Sequence, residues 1–166
     1  ISHVGLPDDT VSHAHYISQF LDIYTSAPAK FTTVFDHVHE VLTEFHSSGI
    51  ALGLCTNKPE APTNVVLDAF GLTTFFGSIV SGDRLPSRKP DPAMLHLVMK
   101  ELAVENCLFV GDSEVDVATA KAAGVPIALF TRGYRQTPVA ELAPDFDFDH
   151  FKNLPAIAAP FFASIA

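Results

Sequence analysis

With 166 residues, 48% of them hydrophobic and 17% charged, the chain has the length of one domain with at most a short appendage, at roughly 150 residues per domain, and is too apolar to be disordered. Ten Lys plus Arg against 19 Asp plus Glu leave a net charge of −9, the wrong sign for holding nucleic acid or an anionic membrane surface by counter-charge. No apolar run approaches the roughly 18 residues of a membrane span, and the opening Ile1-Ser2-His3-Val4 lacks the charged start of a signal peptide, so a soluble, cytoplasmic protein is expected.

In chain order, Tyr16, Ile17, Phe20, Leu21 and Tyr24 recur at three- and four-residue spacing and predict an amphipathic helix over His13–Tyr24. A loop at Ala27-Pro28 follows. Val34, Phe35, Val38, Val41, Leu42 and Phe45 mark a second helical stripe, ended by Gly49. Ile50–Thr56 reads as a strand whose continuous apolar character implies cover on both faces, as parallel sheets require. A helix over Ala61–Phe70, with Pro62 near its start and Gly71 past its end, leads to a strand at Phe76–Val80. Ser81–Pro92, with its three prolines, is a loop. Beyond it come a helix striped by Met94, Leu95, Val98, Met99 and Leu102, a strand at Cys107–Gly111, a helix over Glu114–Ala123 stopped by Gly124, and a strand at Val125–Phe130. Thr137-Pro138 opens a short helix, Phe146–Phe148 suits an edge strand, and a terminal helix starts at Leu154 and is broken by Pro160. Cys55 and Cys107 lie inside apolar runs and fit buried thiols of a reducing compartment rather than a disulfide.

Strands alternating with helices predict βαβ units, hence a parallel sheet flanked by helices. Ligands of such sheets bind beyond the carboxyl ends of the strands. Three of those ends carry suitable residues. Thr56-Asn57-Lys58-Pro59 offers a hydroxyl, an amide and backbone N–H groups to phosphate oxygens. Ser87-Arg88-Lys89-Pro90 presents an ammonium from a proline-restricted loop. Gly111-Asp112-Ser113-Glu114-Val115-Asp116 sets two carboxylates four residues apart at a helix start, which suits Mg²⁺ but equally suits capping and the helix dipole. Phosphate donors, a cation and a divalent-metal site together are the parts of phosphoryl transfer.

On these three segments in this order, over roughly Val34–Tyr134, the sequence resembles the haloacid dehalogenase-like phosphohydrolases, and among them the phosphoglycolate phosphatase group. The resemblance implies a Rossmann-like three-layer α/β/α sandwich with a mostly parallel sheet. It makes residues 1–30 the returning part of a helical cap with its linker and residues 31–166 the core. It implies that Thr56 and Asn57 bind the transferring phosphoryl group, that Lys89 balances charge, and that Asp112 ligates Mg²⁺ with Asp116 beside it, acting on a small phosphorylated metabolite. Such enzymes open with a strand ending in Asp-x-Asp-x-Thr, whose first Asp forms an aspartyl-phosphate and whose second is the general acid/base. That motif is absent: Asp8-Asp9-Thr10 lacks the spacing, and Asp145-Phe146-Asp147 lacks the Thr. No residue of this chain is therefore assigned as nucleophile. The missing strand lies centrally in the family's sheet, between the strand ending at Thr56 and the one ending at Asp112. The expectation is a longer enzyme, of which these 166 residues alone are inactive; a phosphomutase or other hydrolase of the superfamily, or a non-catalytic relative, is the alternative.

Other features call for no site. The pairs His13/His15 and His37/His39 are spaced by two and diverge on a helix. Asp145/Asp147/Asp149 lacks the glycine and distal glutamate of a calcium loop. Arg132-Gly133-Tyr134 suits a substrate border and a plain turn equally.

Overall fold

A computed structural model of the chain describes residues 32–162. The helix expected over His13–Tyr24, the cap-to-core boundary near residue 30 and the pair His13/His15 lie outside the described residues. Within them, α1 (Val38–Ser47) precedes β1 (Gly53–Cys55), α2 (Glu60–Ala69) and β2 (Ser78–Val80). Then α3 (Ala93–Glu101), β3 (Phe109–Gly111), α4 (Glu114–Ala123) and β4 (Ile127–Phe130) alternate. The short α5 (Val139–Leu142), β5 (Phe146–Phe148) and α6 (Leu154–Phe162) close the series. Two 3₁₀ turns, Thr73–Phe75 and Phe151–Asn153, carry no signal in the apolar pattern.

The boundaries differ from the expected ones for identifiable reasons. Val34 and Phe35 belong to the apolar stripe but precede α1, and the Phe35 ring instead packs on Phe130 and Phe151 at 4.7 and 6.0 Å between centroids. The strands are shorter than the apolar runs that contain them, because ladder bonds define a strand and, among the described residues, both β1 and β3 pair on one side only. Pro160 does not break the terminal helix: it sits inside the last turn of α6. A proline removes one bond to the preceding turn, and here little helix remains beyond it to be disrupted.

Every pairing is parallel, as the unbroken apolar character of the strands predicts. β4 is the best covered strand. Ile127 and Leu129 face one side with Leu95, Phe109, Val117 and Ala120, while Ala128 and Phe130 face the other with Val41, Phe45, Phe148, Leu154 and Ala158. Helices α3 and α4 thus form one layer and α1 and α6 the other, giving three layers.

The sheet is divided. One part has the order β1-β2 and the other β3-β4-β5. Helix α3 packs on β1, on β2 and on α4, so the two parts share one helical layer. Among the described residues no strand joins β1 to β3, and Val110, at the middle of β3, is 37% exposed. The division falls between the strand leading to Thr56 and the strand leading to Asp112.

Candidate active site

The carboxyl ends of β1, β2 and β3 are tied together by one chain of hydrogen bonds. After β1, the Asn57 side chain clamps the backbone of Lys89: its Nδ2 donates to Lys89 O at 3.0 Å, and its Oδ1 accepts from Lys89 N at 2.9 Å. The loop between β2 and α3 therefore has a fixed position at Lys89, and both ends of the Asn57 amide are engaged in fixing it. Thr56 Oγ1 accepts the Lys58 amide at 3.2 Å while the Thr56 amide continues the ladder to Val80 O, leaving the hydroxyl proton available. Arg88 adds a second tie within the loop, from Nε to Gly82 O at 2.6 Å.

Lys89 then crosses to the far strand. Its Nζ lies 2.7 Å from Asp116 Oδ1, with side-chain exposures of 11% and 7%, and 5.6 Å from the centroid of the Phe109 ring. The other Asp116 oxygen, Oδ2, accepts from the Asp112 amide (3.1 Å), the Ser113 amide (3.1 Å) and Ser113 Oγ (2.7 Å). Gly111 is required here for space, because a Cβ at that position would strike the Asp116 side chain. Burial alone would push the Asp116 carboxyl up, but the Lys89 ammonium and the donors from Lys89, Ser113 and Asp112 hold it below its ordinary value. A pair this buried is retained at a desolvation cost that only charge-assisted hydrogen bonds offset. Cys55, close to the same charges, is pushed up by burial and stays a neutral thiol, a poor nucleophile.

Asp112 has a different environment from Asp116. It is half-buried; Oδ2 accepts the Tyr134 amide at 3.1 Å and Oδ1 accepts from none of the described residues. Among the described residues no three His, Cys, Asp or Glu side chains cluster to hold a metal. Mg²⁺ commonly takes one or two protein carboxylates and fills its remaining positions with water and phosphate oxygens. Asp112, a hard oxygen donor with one oxygen uncommitted at a strand end, fits that requirement. Asp116 has both oxygens occupied by protein donors.

Two further residues outside the expected set, Ser113 and Glu114, brace the segment that carries Asp112 and Asp116. Ser113 caps α4 in a reciprocal box with Asp116; the Ser-x-x-Asp spacing could have shown it. Glu114, readable only as dipole complement, accepts the Gln136 and Thr137 amides through Oε1 at 2.5 and 2.6 Å. The Thr137 amide, its own amide and the Gln136 amide hold this carboxyl at about 2. The remaining charged features are dispersed. Asp145 accepts the Ile127 amide at 3.0 Å, Asp149 pairs with Arg132 at 3.5 Å, and His37 lies 3.8 Å from Glu40. Cys55 and Cys107 are free thiols, and no described helix is long and apolar enough to cross a membrane.

This parallel α/β sandwich, with an amide, a lysine and two aspartates joined across three strand ends, belongs to the haloacid dehalogenase-like hydrolases, whose family model matches residues 6–130. Among curated proteins it is similar to the phosphoglycolate phosphatase of Cereibacter sphaeroides (strain ATCC 17025), 44% identical over 151 residues, which are 91% of this chain and 69% of that protein. It is also similar to the phosphoglycolate phosphatase of Rhodospirillum rubrum, 43% identical over 149 residues, 89% of this chain and 61% of that protein. Among solved structures, a predicted phosphoglycolate phosphatase from Haemophilus somnus 129PT superposes with a TM-score of 0.85 at 29% identity, covering 90% of this chain and 68% of that one. The fold is shared by CbbY of Rhodobacter sphaeroides, solved with phosphate, at a TM-score of 0.76 and 22% identity over 89% of this chain and 67% of that one.

Proposed function

We propose that this chain is the core of a Mg²⁺-dependent phosphatase that hydrolyses a small phosphate monoester, with phosphoglycolate as the first substrate to test. One observation carries the reading: the run Thr56–Asn57–Lys89–Asp116–Asp112 is continuous across the division of the sheet, where a phosphoryl group would meet donors from one side and carboxylates from the other. The names of the relatives supply the substrate.

In this reading the Thr56 hydroxyl donates to a phosphoryl oxygen. Lys89, held rigid by Asn57 and Asp116, offsets phosphoryl charge without reorganising when the transition state forms, the kind of preorganised stabilisation that accounts for most catalysis of this class. Asp112 would hold Mg²⁺, which when bound neutralises phosphate charge and orients the ester. Asp116 acts through Lys89. The nucleophile is not among these residues. We assign it to an Asp-x-Asp-x-Thr strand that would lie between β1 and β3 and complete the sheet, supplied by polypeptide outside this chain, with residues 1–30 as the returning part of its cap. Its first carboxylate attacks phosphorus as the ester P–O bond breaks, and the second, protonated, gives its proton to the leaving alkoxide. Water then attacks the aspartyl-phosphate, the second carboxylate takes the proton, and phosphate leaves.

The test is phosphate release from phosphoglycolate by a polypeptide joining such a strand to this chain, with and without Mg²⁺. Activity is expected only with both present, and Lys89→Ala or Asp112→Asn should lower kcat by at least about a hundredfold, the scale of losing one transition-state charge contact. Near-normal turnover in either variant would remove the assignment.

A further inference from the structure

The loop from Thr131 to Pro138, between β4 and α5, has no regular structure, yet it is fastened to the start of α4 at two points. At one, the Tyr134 amide donates to Asp112 Oδ2 at 3.1 Å. At the other, a single oxygen, Glu114 Oε1, receives the amides of both Gln136 and Thr137. Amide bonds to a carboxylate are charge-assisted and among the stronger ones a loop can make. The loop backbone also lies directly on Asp112, since a Cβ at Gly133 would strike that side chain. Asp112 therefore rests against the loop, and the loop is held by Glu114.

Capping is only part of what Glu114 does. The N-terminus of α4 is already closed by the box between Ser113 and Asp116, and besides its own amide at the helix start the Glu114 carboxylate takes two amides of the loop. It borders a cavity of about 510 Å³ with Tyr134, Arg135, Gln136 and Thr137.

We infer that Glu114 is a positioning residue: by clamping Gln136 and Thr137 to α4 it holds the Tyr134 amide on Asp112 and so fixes the side-chain geometry in which Asp112 ligates a divalent cation. The inference rests on the reading of Asp112 as the metal ligand. It makes a specific demand, because both bonds end on one oxygen. A glutamine carbonyl can accept both amides without the charge, whereas an aspartate keeps the charge but is one methylene short of the loop.

The test uses the phosphatase-competent polypeptide and reads Mn²⁺ binding directly, by the loss of the free-ion EPR signal, beside the Mg²⁺ concentration that half-saturates phosphate release. Glu114→Asp and Glu114→Ala should each weaken metal binding about tenfold, as loss of a group that orients a ligand does, while Glu114→Gln stays within about twofold of the parent and kcat at saturating Mg²⁺ changes little in all three. A metal-free melting temperature close to the parent's excludes unfolding as the cause, and the Asp and Gln variants carry the test if the Ala variant does not fold. Unchanged binding in Glu114→Asp overturns the clamp, as does a Glu114→Gln variant as weak as Glu114→Asp, which would show that reach to the loop amides is not what the residue supplies by itself. Asp112→Asn separates the two levels. If that variant binds Mn²⁺ as tightly as the parent, the metal reading of Asp112 falls and this inference with it; if it does not, an unaltered Glu114→Asp removes the clamp alone.

Discussion

β4 and β1 are both short, apolar and parallel, and the protein uses them in opposite ways. β4 is paired on both edges and buried along its whole length, with Ile127, Ala128 and Leu129 at 0% exposure. Among the described residues β1 is paired only with β2, and none of its three residues is fully buried. The half of the sheet around β4 can be stabilised by packing alone. The half around β1 ends in Thr56 and Asn57, and besides the shared helix α3 it is joined to the rest at its strand ends by polar side chains: Asn57 to Lys89, and Lys89 to Asp116. Polar side chains thus stand where the sheet is divided.

If that contrast is right, the largest loss of stability should come from the polar bridge. Asp116→Ala leaves the Lys89 ammonium and the Ser113 and Asp112 donors without their buried acceptor, and removing one member of a buried pair costs about 3 to 5 kcal/mol. Denaturant unfolding of the two proteins measures it. The pH dependence has a definite sign. The folded-state carboxyl lies below its ordinary value of 3.8, so its contribution is complete above that value and is lost as pH falls through the folded one. The acid limb of the stability profile should therefore flatten in Asp116→Asn. An unaltered limb would mean that the bridge does not carry the load assigned to it. Next in size is a paired comparison. Leu129→Ala, at the fully buried centre, should cost about 3 kcal/mol, and Leu54→Ala, half-buried in β1, less than about half of that. Equal costs would erase the difference between the two halves.

The parts of the fold that depend on local pattern were legible. The run Val125–Phe130 declared a strand, and Gly111-Asp112-Ser113 followed by Asp116 declared a strand end turning into a helix; both are found, the strand over Ile127–Phe130. The absence of an Asp-x-Asp-x-Thr strand pointed to an interruption at the place where β1 and β3 fail to pair. What the sequence left open are contacts between residues far apart in the chain. Asn57 read as a donor to phosphate, but its amide is 32 residues from the Lys89 backbone it clamps. Glu114 read as a helix-start charge, but it reaches amides 22 and 23 residues away. Such bonds depend on how two loops meet, and neither hydrophobic period nor capping pattern encodes that.

The smallest effect tests the open half in its own right. Ser81 follows β2 at 1% exposure, and its Oγ is the one buried side-chain polar atom without a hydrogen-bond partner among the described residues. A buried hydroxyl without a partner costs free energy relative to water, and deleting it breaks no bond while leaving little space behind. Ser81→Ala should therefore leave the unfolding free energy unchanged or raise it by up to about 1 kcal/mol, the opposite sign to a loss of packing in the β4 half. The same measurement on the polypeptide carrying the proposed nucleophile strand sharpens the result. A neutral or favourable effect in both would confine the orphan hydroxyl to the β2 end. A destabilisation of more than about 1 kcal/mol in the completed protein alone would mean that closing the sheet gives Ser81 a partner, and that the β1 half acquires its internal order only when the interruption is filled.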